Sequence, residues 1–306
     1  MEIYKMSEEE KKYLEKYNIS SYERPSIAAD IAVFSILPDG DNHNIRKLPQ
    51  KALKILLIKR ANYPYKDSWA LPGGFCHPSE DVYETARREL FEETSVKNAY
   101  MNHLGIFGEI GRDPRGWIIS NSFLALLDGE NCKLRAGTDA WEARWFSVDV
   151  LAQELNREAY GDRIRIETKY TLTLKCDETD TLLSSEIMEY KEFCNYHEKN
   201  RLELPENHGI AFDHAKIILS GIKNLRYYAE NDARIIFDFM PEKFTLTQLQ
   251  NAFELVLTRK LLPANFRRKI MEYVIETDEI LEGNGYRPAK LFKRNVEAFY
   301  TTQKTS

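Results

Sequence analysis

The stretch Gly73–Val96, GGFCHPSEDVYETARRELFEETSV, decides how this chain is read. It predicts a helix over Ser79–Thr94, with Ser79 as the cap and with Glu80 and Asp81 in the first turn, where negative charge favours the helix dipole. On that helix Glu89, Glu92 and Glu93 stand at i, i+3 and i+4, which gathers three carboxylates on one face. Tyr83, Ala86 and Leu90 lie on the neighbouring face and suit packing on a sheet. Like charges at this spacing repel by roughly half a kcal/mol or less per pair. A hard divalent cation, which prefers carboxylate oxygen, neutralises such crowding. The bland alternative is a solvated helix face rich in Glu and Arg, and for the Glu-x-x-Glu-Glu piece alone it competes evenly.

The flanks of this stretch read as strands. Ile27–Leu37 and Ala52–Lys59 are apolar, β-branched runs separated by the turn cluster Asp39-Gly40-Asp41-Asn42. Trp117–Leu127 and Ala143–Val148 follow the helix. The order predicts a mixed α/β domain over residues 25–155. A charged, helix-prone extension precedes it over 1–24, started by Ser7-Glu8-Glu9-Glu10. Arg163–Leu174 alternates as a strand does, so residues 156–210 are read as a connector with its own hairpin. From Phe212 the period becomes helical, with Ile217, Ile218, Ile222 and Leu225 on one face. Thr245-x-x-Gln248 is a capping box with Phe244 as a staple, and Leu246, Leu249, Phe253 and Leu257 continue that helix. Pro263 opens another helix, and Gly283-Asn284-Gly285 turns between two extended segments. Helix, turn, helix and hairpin over 211–300 is the order of a winged helix.

Composition bounds the rest. A chain of 306 residues is too long for one ordinary core, and 43% hydrophobic with 30% charged residues reads as globular. The apolar run Ile55–Ile58 is far too short to span a bilayer. Cys76, Cys132, Cys176 and Cys194 form no Cys-x-x-Cys pair and read as reduced thiols. With no basic-then-apolar leader at the start, the expectation is a cytoplasmic protein. Net charge is −5, yet Arg259–Arg294 holds nine Lys or Arg against five Asp or Glu.

Gly74, five residues, Glu80, seven residues, then Arg88-Glu89-Leu90-Phe91-Glu92-Glu93-Thr94-Ser95-Val96 resembles the Nudix box. Every charged position is met; Ser95 stands where the family has glycine. A left-handed residue without glycine there costs roughly 1 kcal/mol but removes no ligand. Trp69–Phe75, Arg112-Asp113-Pro114-Arg115-Gly116-Trp117 and Ala136–Phe146 are similar to the branch that holds ADP-ribose pyrophosphatases and ADP-ribose-sensing regulators. The resemblance implies a mixed-sheet α/β/α sandwich followed by a winged helix-turn-helix domain. It implies Mg²⁺ (or Mn²⁺) on Glu89, Glu92 and Glu93, bridging the phosphate oxygens of a nucleoside diphosphate sugar. Arg88 then pins a glutamate, while Gly74, Arg112 and Arg115 belong to the substrate side. Glu142 or Glu109 is the candidate general base, and His77 lies near the loop. A homodimer is implied as well.

Phe244–Gln250, Asn265–Lys269 and Gly285–Leu291 resemble the C-terminal domain of Nudix-related transcriptional regulators. A helix start and a wing are where phosphates and base edges are met. The candidate contacts to double-stranded DNA are Asn265, Arg267, Arg268 and Lys269 on the helix and Arg287 and Lys290 on the wing, with Lys293 and Arg294 beside them. The rival reading of the basic cluster is a packing or dimerisation face. Two functions are therefore open: hydrolysis of an ADP-ribose-like diphosphate, or operator binding governed by such a ligand.

Overall fold

A computed structural model of the protein describes residues 5–40, 50–97, 99–129, 140–194, 197–281 and 288–301. α1 (Glu8–Lys16) starts at a Ser7–Glu10 capping box, as its sequence predicts, and buries no residue. The two apolar runs are β1 (Ser26–Pro38) and β2 (Lys51–Arg60), paired antiparallel with Phe34 opposite Ile55. The short strands β3 (Trp69–Ala70) and β4 (Gly73–Phe75) lie on β2 and β1 respectively. α2 (Val82–Thr94) follows, then β5 (Tyr100–Phe107) and β6 (Ile118–Leu126), which runs parallel to β1.

β7 (Ala140–Tyr160) leaves this body and continues through β8 (Arg163–Cys176), β9 (Thr181–Cys194) and β10 (His197–His208). The sheet order is β10-β9-β8-β7-β2-β1-β6-β5. The expected connector over 156–210 is thus corrected: it holds the predicted hairpin, but its strands extend the main sheet. The cause is β7, which keeps extended pairing with β8 straight through the expected domain end at residue 155.

Side-chain alternation along β1 explains the layers. Ala29, Ile31 and Val33 share a core with Ala86 and Leu90 of α2. Ala32, Phe34 and Ile36 share the other core with Ile217, Ile218, Leu219 and Ile222 of α3 (His214–Asn231). The sheet is therefore sandwiched between α2 and α3. Gly221 brings α3 close to β1, since a Cβ there would meet the Phe34 ring at 3.0 Å.

After α3 and a 3-10 stretch come β11 (Lys243–Phe244), α4 (Leu246–Leu257), α5 (Pro263–Ile270), β12 (Val274–Leu281), β13 (Ala289–Arg294) and α6 (Val296–Thr301). The small sheet is ordered β11-β13-β12. This is the expected winged helix, with the Thr245–Gln248 capping box in place and Pro263 in the first turn of α5. Its core residues Leu249, Phe253, Val256 and Phe266 run on into the α3 side of the sheet without a break. The Gly283–Gly285 turn and Arg287 lie outside the described residues. Among the described residues no helix is long and apolar enough to cross a membrane.

Candidate functional site

The helix that carries the carboxylates begins later than its sequence suggests. Asp81, not Ser79, is the cap: its side chain accepts from the Tyr83 and Glu84 amides, and the Glu84 carboxylate accepts the Asp81 amide. Glu80 is therefore outside the first turn. Its carboxylate accepts the His77 amide and a two-point contact from Arg88 (2.6 and 3.0 Å), which holds its pKa down at about 2. Arg88 also donates to Glu89 (2.6 Å), Glu92 (3.1 Å) and the Phe75 carbonyl (3.1 Å). The expected pinning role is thus realised on three glutamates at once. Ser95 takes the left-handed conformation (φ 64°) that a glycine would normally supply.

Glu93 is the buried member of the set. It accepts the Gly73 amide at 2.8 Å, and burial, reinforced by Glu89 and Asp30, pushes its carboxyl up to about 8. Burial also raises Glu89, against the pull of Arg88. Gly74, expected on the substrate side, lies against the Glu89 carboxylate. A Cβ at Gly74 would overlap the Glu89 carboxylate, and one at Gly73 would overlap the Ala29 carbonyl. Gly74 thus lets β4 pass directly under the Glu89 carboxylate, and Gly73 lets it lie close on β1.

The opposite wall holds the arginines. Arg112, expected to hold phosphate, is closed off: it is buried and gives two bonds to Asp213 (3.0 and 2.7 Å) and one to Asp30 (3.3 Å). Arg115 keeps the open position. Asp113 braces it, and its guanidinium stacks between the Phe75 ring (4.9 Å) and the Phe212 ring (5.3 Å). Arg60 stacks on the same Phe212 ring at 4.9 Å and has no carboxylate in ion-pair contact among the described residues. Burial and then the charge of Arg115 lower its pKa. Glu142 is paired with Arg144 (2.9 Å) and Glu109 with Lys216, so neither candidate base is free; His77 is exposed and 3.7 Å from Glu80.

On the winged helix, α5 presents Asn265, Arg267 and Arg268 to solvent. Among the described residues Arg267 and Arg268 make no ion pair. Lys269, expected beside them, donates to the Glu230 carbonyl of α3, and Lys290 is paired with Glu276. Arg294 is a structural residue, bound to Asp238 and stacked on Phe299.

Comparison with known proteins gives two domain matches. The NUDIX domain matches residues 45–168, and the NrtR DNA-binding winged helix domain matches residues 236–293. An ADP-ribose pyrophosphatase of Methanocaldococcus jannaschii is 39% identical over 141 residues, which are 46% of this chain and 72% of that protein. The chain belongs to the Nudix family. An ADPR responsive transcriptional repressor NtrR of Acinetobacter baylyi is 29% identical over 287 residues, 93% of this chain and 88% of that protein. A MutT/nudix family protein of Enterococcus faecalis shares the fold, with TM-score 0.62 and 24% identity over 95% of this chain and 100% of its own.

The Nudix domain match ends before residues that complete its cleft. Phe212, Asp213 and His214 sit at the start of α3, between the two matched segments. His214 is buried and its Nδ1 accepts the Leu71 amide (2.9 Å), which leaves the proton on Nε2, 3.6 Å from Asp30. Burial lowers its pKa, so the ring is neutral. Two signals for this group were present in the sequence: Asp30 is a lone charge inside the apolar run of β1, and Asp213 stands at a helix start. Asp213 makes no capping bond because its carboxylate serves Arg112.

The carboxylate donor set of the Nudix helix is all oxygen, as a hard divalent cation requires. Glu93 points to Gly73 while Glu89 and Glu92 are held by Arg88, and no group of three or more metal-binding side chains is gathered among the described residues. The residues fit a cation by chemistry and by the like-charge burial at Glu93, which an added positive charge would relieve.

Proposed function

We propose that this chain hydrolyses the diphosphate of ADP-ribose, or of a similar nucleoside diphosphate sugar, to AMP and the sugar phosphate. The observation that carries the reading is the pairing of two walls. Glu89 and Glu93 line one, and on the other Arg60, within electrostatic reach of Glu93, stacks with Arg115 on the Phe212 ring. Guanidinium forks match phosphate oxygens, and aromatic stacking holds them without neutralising them. Glu89, Glu92 and Glu93 would hold a divalent cation, Mg²⁺ or Mn²⁺, which would supply positive charge for the diphosphate and lower the pKa of a water. Arg88 keeps Glu80, Glu89 and Glu92 oriented. Water oxygen bonds to one phosphorus, the bridging P–O bond breaks, and the proton passes to a carboxylate. The ADP-ribose pyrophosphatase relative supports the choice of nucleotide. A Mg²⁺-containing panel of ADP-ribose, NADH and sugar nucleotides, read for AMP release, tests it; turnover of none of them ends the proposal.

A second reading rests on its own observation. Two exposed arginines that make no ion pair among the described residues stand on α5 of a winged helix, where phosphate and base contacts are made. On this reading the chain binds double-stranded DNA, with the nucleotide in the cleft as effector. The repressor relative supports it, and the two activities are compatible in one chain. Absence of any shift of its own upstream DNA at low salt would remove it.

A further inference from the structure

Phe212 stands in a left-handed backbone conformation (φ 52°), which a bulky side chain rarely adopts. Such strain persists only where the surroundings over-determine it, and it gathers at ligand sites. Backbone bonds lock the preceding segment onto β3: the Trp69 amide donates to the Gly209 carbonyl (2.9 Å) and the Ala211 amide to the Trp69 carbonyl (2.7 Å). The Asn207 side-chain amide donates to the Ile210 carbonyl (2.7 Å) and the Phe212 carbonyl (3.4 Å). Just beyond Phe212, the His214 ring accepts the Leu71 amide (2.9 Å). Phe212 is thus fixed from both directions along the chain, and at 7% exposure its ring offers little surface to a ligand.

What the ring touches is mostly charged. The guanidinium carbons of Arg60 and Arg115 lie 4.9 and 5.3 Å from its centre, and Tyr65 packs on it at 4.7 Å. An aromatic face attracts a cation without using any of its N–H donors. Arg60 spends only its Nε–H, on the Pro64 carbonyl (2.8 Å), and its terminal nitrogens make no hydrogen bond among the described residues. Arg115 spends its Nε–H and one terminal nitrogen on Asp113. Two cations gathered on one ring repel each other, which plain packing gives no reason to arrange.

We infer that Phe212 is a positioning residue for a diphosphate: its ring aims the Arg60 and Arg115 forks so that two adjacent phosphate groups engage both. This rests on the reading that the cleft takes a nucleoside diphosphate. A ligand with two linked phosphates removes the repulsion between the forks and meets the planar donor geometry of each. The strained backbone sets the direction of the ring, and the ring sets the direction of the donors.

Titration calorimetry on the full chain in EDTA reads the affinity for ADP-ribose and, separately, for inorganic pyrophosphate. Phe212→Leu stays apolar but loses the π face, and it should weaken both by about tenfold, while Phe212→Tyr should stay within about threefold of wild type. In an Arg60→Gln background the further loss on Phe212→Leu should shrink to about threefold, because one of the stacked partners is already gone. A residue that only packs would cost as much there as in the wild type, and that result overturns the inference. So does wild-type affinity in Phe212→Leu, or a wild type that binds neither probe. Phe212→Met repeats the test if Phe212→Leu does not fold. Pyrophosphate binding with the expected pattern, but no binding or turnover of ADP-ribose, would remove the nucleotide reading and leave the role of Phe212 standing.

Discussion

Arg112 and Asp213 form a two-point ion pair across 101 residues of sequence, both side chains nearly sealed from water (4% and 9% exposed). This pair ties the Arg-Asp-Pro-Arg loop of the Nudix domain to the first turn of α3. The far end of α3 reaches the winged helix, where Arg226 bonds the Val256 carbonyl of α4 and the Glu230 carbonyl receives Lys269 of α5. One helix thus touches both the cleft and the candidate DNA-facing helix.

Removing one partner of that pair strands a buried charge. Asp213→Ala is expected to lower unfolding free energy by about 3 kcal/mol, with Asp30 partly compensating Arg112. Urea denaturation checks it; a loss below about 1 kcal/mol would mean that Asp30 alone suffices.

The two adjacent glycines should fail in different ways. Gly74→Ala pushes the Glu89 carboxylate aside, so AMP release should fall on the order of a hundredfold while the thermal midpoint changes little. Gly73→Ala meets backbone at Ala29, so its main effect should be a stability loss of about 1–3 kcal/mol. Parallel assays and melts separate the two, and equal effects in both would contradict the geometry.

Glu93 sets a pH dependence of stability. Its carboxyl rises from the ordinary 4.5 to about 8 in the folded protein, so between these values the folded state binds more protons than the unfolded chain. Stability of the metal-free protein is fully present below pH 4.5 and is lost as pH rises toward 8, by on the order of a few kcal/mol. Glu80, shifted down to about 2, acts in the opposite sense and only below pH 4.5. Denaturation at pH 5, 7 and 9 should show the decline. Glu93→Gln should abolish it, and Mg²⁺ should flatten it if the carboxylate is a ligand.

On the winged helix, free and committed cations should separate. Arg267→Ala and Arg268→Ala are expected to weaken DNA binding and each to reduce the salt slope by about 1. Arg294→Ala, which removes a contact to Asp238 and a stack on Phe299, should lower thermal stability instead. Binding isotherms at several salt concentrations decide; an unchanged slope in the α5 variants would take those arginines off the interface.

What the sequence determined by itself was local. The carboxylate stripe follows from helical spacing at Glu89, Glu92 and Glu93, the left-handed Ser95 from its place at a helix end, and the winged helix from capping and turn residues. Each depends on neighbours within a few positions, where backbone geometry leaves little choice. Only the tertiary structure decided which arginine faces the cleft. Arg112 and Arg115 are equivalent in the sequence, yet Asp30 and Asp213, brought in by β1 and α3, bury the first and leave the second open. The same holds for Phe212, His214 and the reach of β7 beyond residue 155. Their environments are set by segments far away in the chain, and no local pattern encodes which distant charge or strand will arrive.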